Sequence, residues 1–355
     1  MINVRYKIMP KTLFFSLLIG LLASPWLAAE PAAVERGEFK GADFFEMPDW
    51  FKPSFLDVQA DVEEAAASGK RLMLYFHQNG CPYCAKLVKD NFTKSKEVIA
   101  YMQEHFDAID MNMWGDRAVT GLDGKEYNEK SYAAKLKVWF TPTIIFFDEQ
   151  GKVALRINGY YDPEKFMHVL RYVAEKKETE MSFAEYYKQF TAPKTRTAAA
   201  LHSEPFFAKP PYDLAALSKG KKPVAVFFEQ ANCADCERMH KSSLKDADTL
   251  AVINGFHVIQ LDRYAATSLV TPAGKQTTAS QWADELNIAY APSVVLFDGD
   301  KEIIRIEAFL KTFHVQSVFD YVLSGGYKTE TSFQRYIEHR ADRIRDTGKT
   351  VDLWD

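Results

Sequence analysis

The sequence has few cysteines, little excess charge of either sign, and no long apolar run after its N-terminal segment. The 355 residues include 44 Lys and Arg against 48 Asp and Glu, a formal net charge of −4. Nucleic-acid binding needs a basic patch that offsets phosphate repulsion, so this balance predicts no nucleic-acid partner. No later segment has the ~20 consecutive apolar residues that span a bilayer. We therefore expect no stable membrane insertion of the mature protein.

Residues 1–29 have the composition of a secretory signal peptide. Arg5 and Lys11 are among the basic residues before an apolar run from Leu13 to Ala23, and Ala28-Ala29 offers small side chains for cleavage. This order is typical of exported proteins. The alternative is a retained membrane anchor, but the run has about half of the ~20 residues that a membrane span requires. We predict cleavage and a periplasmic location.

All four cysteines lie in two Cys-x-x-Cys pairs, Cys81 with Cys84 and Cys233 with Cys236. None is left over for a structural bridge, so an exported protein would use them for redox chemistry or for metal. Four thiolates could hold zinc, but zinc ribbons keep their pairs ~15–20 residues apart, and almost a full domain separates these. The eight histidines show no metal-site spacing either. We predict no metal and no cofactor other than redox-active disulfides.

The two halves of the chain repeat each other at a shift of about 150 residues. Residues 71–76 match 223–228, and each is a short apolar run that leads into a cysteine pair. Residues 140–148 match 290–298, and each of these is followed by a polar turn and a second apolar stretch. The first pattern predicts a buried strand and the second a β-hairpin. Because helical periodicity fills the remainder, the sequence predicts an α/β layer fold.

These patterns divide the chain into a signal peptide at 1–29, a first domain at 30–190, a proline-rich linker at 191–211 and a second domain at 212–355. The second domain ends in a charged amphipathic helix that runs towards Arg345. We expect its apolar face to pack on its own domain and assign it no function.

A cysteine in the first turn of a helix meets unpaired backbone N–H groups and the positive end of the helix dipole, which favour the thiolate. The spacing places a second sulfur one turn away, where it can resolve a mixed disulfide. We expect Cys81 to attack and Cys84 to resolve.

The first half carries Gly80-Cys81-Pro82-Tyr83-Cys84, and Thr141-Pro142 heads an apolar strand. Proline at that position predicts a cis peptide bond. The combination resembles the thioredoxin superfamily, and more closely its exported bacterial members and disulfide reductases. A departure is that the strand before each motif has Tyr75 or Phe227 where thioredoxin has a buried Asp.

The resemblance implies two tandem thioredoxin-like domains, each with a central mixed β-sheet flanked by helices. It also implies that Pro142 faces Cys81 and that the backbone of Thr141 pairs with an extended substrate segment. The substrate-binding residues carried over from the family are Pro82, Tyr83, Thr141 and Pro142 in the first half, and Ala291 and Pro292 in the second.

The two sites should not be equivalent. Asp235 and Glu237 place negative charge beside the second pair, whereas Lys86 and Lys89 lie near the first, and like charge disfavours a thiolate. We predict Cys81 to be the more reactive thiol. Two hypotheses remain for the second half: a relay in which Cys233 and Cys236 pass electrons to the first pair, or a degenerate copy that supports the first.

The function expected from these features is protein-disulfide reduction or exchange in the cell envelope, with all four cysteines as redox residues. The substrates would be exported proteins with disulfides, and a membrane electron donor would re-reduce the enzyme. Oxidase and isomerase directions stay open. The alternative from another class is a non-catalytic protein that binds clients on its thioredoxin-like surfaces.

Overall fold

The computed structural model describes residues 34–192 and 200–355, and the described residues from Glu35 onward form one compact unit. The predicted signal peptide and residues 193–199 of the predicted linker lie outside the described residues. None of the helices in the described ranges is both long and apolar enough to cross a bilayer.

The first half contains seven strands and six α-helices among its described residues. The strands are β1 (Phe39–Lys40), β2 (Arg71–His77), β3 (Phe106–Asn112), β4 (Ala118–Thr120), β5 (Glu126–Asn128), β6 (Thr143–Phe147) and β7 (Val153–Asn158). The helices are α1 (Val58–Ala67), α2 (Pro82–Leu87), α3 (Lys96–His105), α4 (Glu129–Lys135), α5 (Pro163–Ala174) and α6 (Phe183–Thr191), with a π-helical turn at Val88–Lys94 and a 3₁₀ turn at Lys177–Thr179.

The second half repeats this order over its described residues. Its strands are β8 (Tyr212–Asp213), β9 (Val224–Glu229), β10 (His257–Asp262), β11 (Ser268–Val270), β12 (Gln276–Thr278), β13 (Ser293–Asp298), β14 (Lys301–Ile306) and β15 (Val351–Asp352). Its helices are α7 (Leu214–Ser218), α8 (Ala234–Lys241), α9 (Ala247–Ile253), α10 (Ala279–Glu285), α11 (Thr312–Leu323) and α12 (Phe333–Asp346), with 3₁₀ turns at Ser243–Lys245 and Gly326–Lys328.

Each half has a central four-stranded mixed sheet, in the order β3-β2-β6-β7 and β10-β9-β13-β14. Strand β2 runs parallel to β3 and antiparallel to β6, and β9 runs parallel to β10 and antiparallel to β13. The last two strands of each sheet form the predicted hairpin. Every residue of β2 and β9 is buried because helices cover both faces of the sheet, which explains their unbroken apolar runs. The predicted fold class is confirmed.

The described part of the predicted linker lies against the second half. Phe207 is buried in the second core, and the N–H of Ala208 donates to the carbonyl of Val258 at 2.8 Å. In the first half, the backbone N–H of Lys52 donates to the carbonyl of Ala108 at 2.8 Å, which is the equivalent hydrogen bond. The described end of the predicted linker therefore makes a backbone contact equivalent to one in the first half.

The first and last described strands join the two halves. Strand β1 pairs in parallel with β15, with Phe39 opposite Val351 and Lys40 opposite Asp352. A backbone hydrogen bond of 2.8 Å from Gly37 to Arg345 continues this contact.

The halves also contact each other through equivalent positions, as the subunits of an isologous dimer do. The amide of Asn158 at the end of β7 donates to Glu307 just after β14 at 3.0 Å. The next residues, Gly159 and Ala308, lie so close that a Cβ built on Gly159 would be 2.5 Å from that of Ala308. The edge strands of the two central sheets therefore face each other.

Candidate active sites

The first cysteine pair lies at the start of α2, with Cys81 as its N-cap. The two sulfurs are joined in a disulfide, and the backbone N–H of Cys84 donates to Cys81 Sγ at 3.1 Å. Cys81 is 4% exposed and Cys84 is fully buried. The sulfur that the sequence predicts to attack is thus the one at the helix N-terminus, where N–H groups stabilise negative charge.

The loop before β6 faces this sulfur. The Thr141–Pro142 bond is cis, as predicted, and the carbonyl oxygen of Thr141 lies 3.8 Å from Cys81 Sγ. The hydroxyl of Thr141 donates to the same sulfur at 3.4 Å. A hydroxyl donor on the sulfur favours its ionised form, because hydrogen bonds to charged acceptors are stronger than those to neutral ones.

The second pair repeats the geometry without this hydroxyl. Cys233 is the N-cap of α8 and is disulfide-bonded to Cys236, whose N–H donates to Cys233 Sγ at 3.1 Å. The Ala291–Pro292 bond is also cis, and the carbonyl of Ala291 lies 3.4 Å from Cys233 Sγ. Since Ala291 replaces Thr141, only the first site has a side-chain donor from this loop.

Charged residues near the two cysteine pairs have partners that the sequence-based argument did not include. Asp235 lies 2.9 Å from Lys165 of the first half and accepts a 2.5 Å hydrogen bond from Tyr290. Burial alone would raise the pKa of Asp235, but these two partners hold it below its usual value. Lys86, for its part, is paired with Asp90 at 2.6 Å. Asp235 and Lys86 are therefore both compensated, so the Thr141 hydroxyl is the clearer asymmetry.

The position of the missing buried Asp is occupied by an uncharged side chain in both halves. Tyr75 is fully buried, and its hydroxyl donates to the carbonyl of Cys84 at 3.3 Å. Burial, followed by the charge of Asp110, raises the pKa of Tyr75 well above its usual value, so its phenol stays protonated. Phe227 takes the corresponding place in the second half and is fully buried too.

The second half covers the first disulfide. Cys81 opens into a cavity of about 240 Å³, which Pro82, Tyr83 and Thr141 also line. The second half contributes mainly apolar side chains to this cavity, among them Ile306, Leu310, Val318, Phe333, Ile337 and Leu353.

Tyr83 makes the most specific contact across this interface. It is 4% exposed, its hydroxyl accepts from the backbone N–H of Lys311 at 2.8 Å, and it lies 3.2 Å from Nδ1 of His314. Burial, with Arg340 nearby, lowers the pKa of His314 to about 3, so this imidazole is neutral at physiological pH. Burial likewise raises the pKa of Tyr83. Both partners are thus uncharged hydrogen-bonding groups.

The first half covers the second disulfide in the same way. Cys233 is 9% exposed and opens into a separate cavity of about 320 Å³ that Ala291 also lines. Asp162, Lys165 and Tyr187 of the first half line it. The Lys165–Asp235 pair stands where His314 and Tyr83 meet at the first site, because Asp235 precedes the second cysteine just as Tyr83 does.

The predicted substrate-binding residues therefore fall into two groups that the structure does not bring together. Pro82, Tyr83 and Thr141 lie with Cys81 in one cavity, beside the cis residue Pro142. Ala291 lies with Cys233 in the other, next to Pro292.

Sequence reasoning missed the role of α12 at the first site. Phe333 and Ile337 line the Cys81 cavity, and the backbone N–H of Gln334 donates to the carbonyl of Trp139 at 3.0 Å. The apolar stripe of this helix was visible in the sequence, but nothing in its spacing indicated that it reaches the other half.

Comparisons with known proteins agree with this fold. A family model of the thioredoxin-like domain matches residues 58–174 and 211–323. No curated protein matches the chain.

Several solved structures are similar to one half of the chain. A thioredoxin-fold protein from Helicobacter pylori is 29% identical, covering 35% of this chain and 81% of its own, with a TM-score of 0.30. A thioredoxin from Thermus thermophilus is 22% identical, covering 34% and 86%, with a TM-score of 0.27. The oxidised C-terminal domain of DsbD from Neisseria meningitidis is 15% identical, covering 35% and 99%, with a TM-score of 0.25.

The family match covers more than half of the chain and includes both cysteine pairs. Two Cys-x-x-Cys disulfides, each at a helix start and opposite a cis-proline, support thiol–disulfide oxidoreduction in general. The chain belongs to the thioredoxin-like domain family, with one such domain in each half.

Proposed function

We propose that this chain is a thiol–disulfide oxidoreductase of the cell envelope that reduces or exchanges disulfides in exported proteins through Cys81 and Cys84. The observation that carries the proposal is the environment of Cys81 Sγ. This sulfur caps a helix, accepts from the N–H of Cys84 at 3.1 Å and faces the Thr141 hydroxyl at 3.4 Å. All three features favour a thiolate.

In the proposed reaction the Cys81 thiolate attacks one sulfur of a substrate disulfide. A mixed disulfide forms, and the other substrate sulfur leaves as a thiolate that takes up a proton from water. The Cys84 thiol then loses its proton to water, and the resulting thiolate attacks Cys81 Sγ and releases the second substrate sulfur as a thiolate, which takes up a proton. Two electrons pass to the substrate, and the enzyme is left with the Cys81–Cys84 disulfide.

A dithiol donor must then return two electrons to Cys81 and Cys84. We propose a membrane protein for this role, because an exported reductase has no cytosolic glutathione pool to draw on. Support for export comes from the composition of residues 1–29. N-terminal sequencing of the protein recovered from a periplasmic extract tests this part, and an intact N-terminus in the membrane fraction would contradict it.

The second pair is proposed to relay electrons to the first. Cys233 lacks the hydroxyl donor that Cys81 has, so its reduced form is less stabilised as a thiolate and is the stronger reductant. A variant with Cys233→Ser and Cys236→Ser should lose turnover with the physiological donor while keeping a single stoichiometric reduction. Unchanged turnover with every donor tested would remove the relay.

The client-binding alternative requires an open surface at Thr141, and this residue is only 8% exposed beneath the second half. For the proposed enzyme, the halves must separate enough for a substrate disulfide to reach Cys81. A catalytic protein can do this transiently, whereas a holding protein needs the surface throughout. The coverage of Thr141 therefore favours the enzyme.

The deciding experiment is the redox potential of each pair, measured in the two variants that lack the other pair by equilibration with defined thiol buffers. A potential for Cys81–Cys84 near the ~−270 mV of thioredoxin is the expected result, with a lower value for Cys233–Cys236 if the relay holds. A potential near the ~−120 mV of strong oxidants would make the protein a disulfide donor and overturn the reductase proposal.

A further inference from the structure

The cavity at Cys81 differs in chemistry from the cavity at Cys233, although the two disulfides have the same local geometry. Apolar side chains make up much of the wall at Cys81, among them Ile306, Leu310, Val318, Phe333, Ile337 and Leu353. The wall at Cys233 contains charged side chains from both halves, among them Asp162, Lys165, Asp235 and Arg263. The two cavities therefore suit different molecules, and the one at Cys81 suits an apolar molecule.

The guanidinium in the wall of the Cys81 cavity is already paired with carboxylates. Arg305 donates to Glu302 at 2.6 Å and to Glu307 at 3.2 Å. Glu307 also accepts from the amide of Asn158 at 3.0 Å. A second carboxylate of the wall, that of Glu338, is exposed to solvent. An anionic ligand would lose hydration here and meet a compensated cation, so the wall favours an uncharged ligand.

A buried, uncharged polar side chain also lines the Cys81 cavity. Gln334 of α12 is 8% exposed, and its backbone N–H donates to the carbonyl of Trp139. Its side-chain amide makes no hydrogen bond with any residue of 34–192 or 200–355. Buried polar groups normally have a hydrogen-bond partner. Gln334 can therefore bind an uncharged donor or acceptor on an otherwise apolar ligand.

The Cys81 cavity has the size of a small molecule and reaches solvent while the halves are in contact. Its volume is about 240 Å³, and an apolar cavity of ~150 Å³ already holds benzene. Two of its lining residues are exposed: Phe39, at 44%, and Glu338. A disulfide in a folded protein reaches Cys81 only after the halves separate, whereas a small disulfide needs only the cavity.

We propose that Cys81 and Cys84 reduce a small, uncharged and mainly apolar disulfide that binds in this cavity while the halves stay together. The inference rests on the function proposed above and names a substrate class for it. The Cys81 thiolate attacks one sulfur of the bound molecule, and the Cys84 thiolate then attacks Cys81 Sγ. The substrate S–S bond breaks, its two sulfurs leave as thiols with two electrons from the enzyme, and the Cys81–Cys84 disulfide forms. The dithiol donor proposed above returns these electrons.

Lipoamide and lipoate are matched probes, because they share one dithiolane ring and differ only in having an uncharged amide or a carboxylate at the far end. The full chain with Cys233→Ser and Cys236→Ser is reduced, freed of reductant and mixed with an excess of either probe. Acid quenching, thiol alkylation and mass spectrometry follow formation of the Cys81–Cys84 disulfide. We expect lipoamide to react at least about tenfold faster than lipoate, because burial of an unpaired carboxylate is costly.

The second cysteine pair is an internal control for this preference. The full chain with Cys81→Ser and Cys84→Ser keeps a Cys-x-x-Cys pair opposite a cis-proline, but Lys165 and Arg263 line its cavity. Reduced Cys233 and Cys236 should therefore show no preference for lipoamide over lipoate.

Variants that fill the cavity test whether it holds the probe. Val318 and Val322 are both buried in α11, but of the two only Val318 lines the Cys81 cavity. Val318→Phe should lower the lipoamide rate to that of lipoate. Val322→Phe, the control for a larger side chain in the same core, should keep the preference. Ala341→Leu fills the cavity from α12 and replaces Val318→Phe if that variant does not fold, which urea unfolding shows.

Reduction of insulin by the same reduced chain separates the substrate class from the proposed function. Equal rates with lipoamide and lipoate would overturn the substrate class, and so would the same preference at Cys233–Cys236 or a preference that survives in both Val318→Phe and Ala341→Leu. In each of these cases continued reduction of insulin would still support the oxidoreductase. A reduced chain that reacts with neither probe nor insulin would overturn the proposed function and the substrate class together.

Discussion

Substitution of Gly159 by Ala tests whether the contact between the two halves controls access to Cys81. Gly159 follows β7, has a φ of +82° and donates its N–H to the carbonyl of Pro142 at 2.8 Å. Its Cα faces Ala308 so closely that an added Cβ would lie 2.5 Å from the Ala308 Cβ. The substitution therefore acts on the backbone conformation and on the interface together.

The two effects can be given separate magnitudes. A non-glycine residue in the left-handed region costs ~1–2 kcal/mol. Carbon atoms pack at ~3.5–4.0 Å, so the facing chains must also move apart by about 1 Å. Forcing extra volume into a packed contact costs ~1–3 kcal/mol. We expect Gly159→Ala to lower the free energy of unfolding by about 2–5 kcal/mol in total.

Gly299 is a control position that separates the cost of the interface contact from the cost of the backbone conformation. Gly299 lies in the hairpin turn between β13 and β14 with a φ of +64°, and a Cβ there would meet nothing within 4 Å. Gly299→Ala should therefore show the backbone cost alone, ~1–2 kcal/mol. Adding Ala308→Gly to Gly159→Ala removes the facing methyl group. The double variant should recover most of the stability difference between Gly159→Ala and Gly299→Ala, and a double-mutant cycle measures this recovery.

The assays are urea unfolding and the alkylation rate of reduced Cys81, the latter in a background with Cys233→Ser and Cys236→Ser. Separation of the halves should raise the alkylation rate in Gly159→Ala but not in Gly299→Ala. Equal stability and equal alkylation rates in these two variants would refute the reasoning, and so would a failure of Ala308→Gly to restore either quantity.

Two other predictions concern single side chains. Thr141→Val keeps the shape of the side chain but removes the donor to Cys81 Sγ. Because hydrogen bonds to charged groups contribute ~1.5–3 kcal/mol, alkylation of reduced Cys81 at neutral pH should slow by at least about tenfold. Thr143→Val, whose hydroxyl donates to a backbone carbonyl, should have no such effect. Hydrogen bonds from Arg71 hold the pKa of Glu149 at about 2, below its usual 4.5, so its contribution to stability is complete above pH 4.5 and is lost as pH falls towards 2. Glu149→Gln should flatten the dependence of unfolding free energy on pH in that range, and parallel curves for the two proteins would contradict the assignment.

Much of each domain could be predicted from the sequence because its signals are local. The apolar runs at 71–76 and 223–228 coincide with β2 and β9, apart from one residue at their ends. Both hairpins and the cis bond before Pro142 were predicted correctly, since a proline that heads a buried strand restricts the backbone whatever surrounds it.

The polar stretch from Trp114 to Lys130 shows where local patterns carry too little signal. It forms the short hairpin of β4 and β5 and leads into α4. Strands of three residues with one buried position carry too few apolar side chains for their alternation to be recognised.

Contacts between the halves could not be predicted because no sequence period connects them. Tyr83 and His314 lie 231 positions apart and meet only through the reciprocal packing of the domains. The charge of Asp235 was read as an isolated repulsion beside Cys233, and its partner Lys165 is 70 positions away. Likewise, the rings of His202 and His240 stack at 4.3 Å, although nothing in their sequence spacing indicates the contact.

The pairing of β1 with β15 has a consequence for biosynthesis. Phe39 lies near the start of the first half and pairs with Val351, and both Phe39 and Leu353 line the cavity at Cys81. Because the chain is synthesised from its N-terminus, this pairing cannot form until the last residues have been made. During that interval the first domain can fold while Cys81 lacks its cover. Redox reactions of the first pair can therefore precede closure, and the order of synthesis sets a period in which Cys81 is not yet covered by the second half.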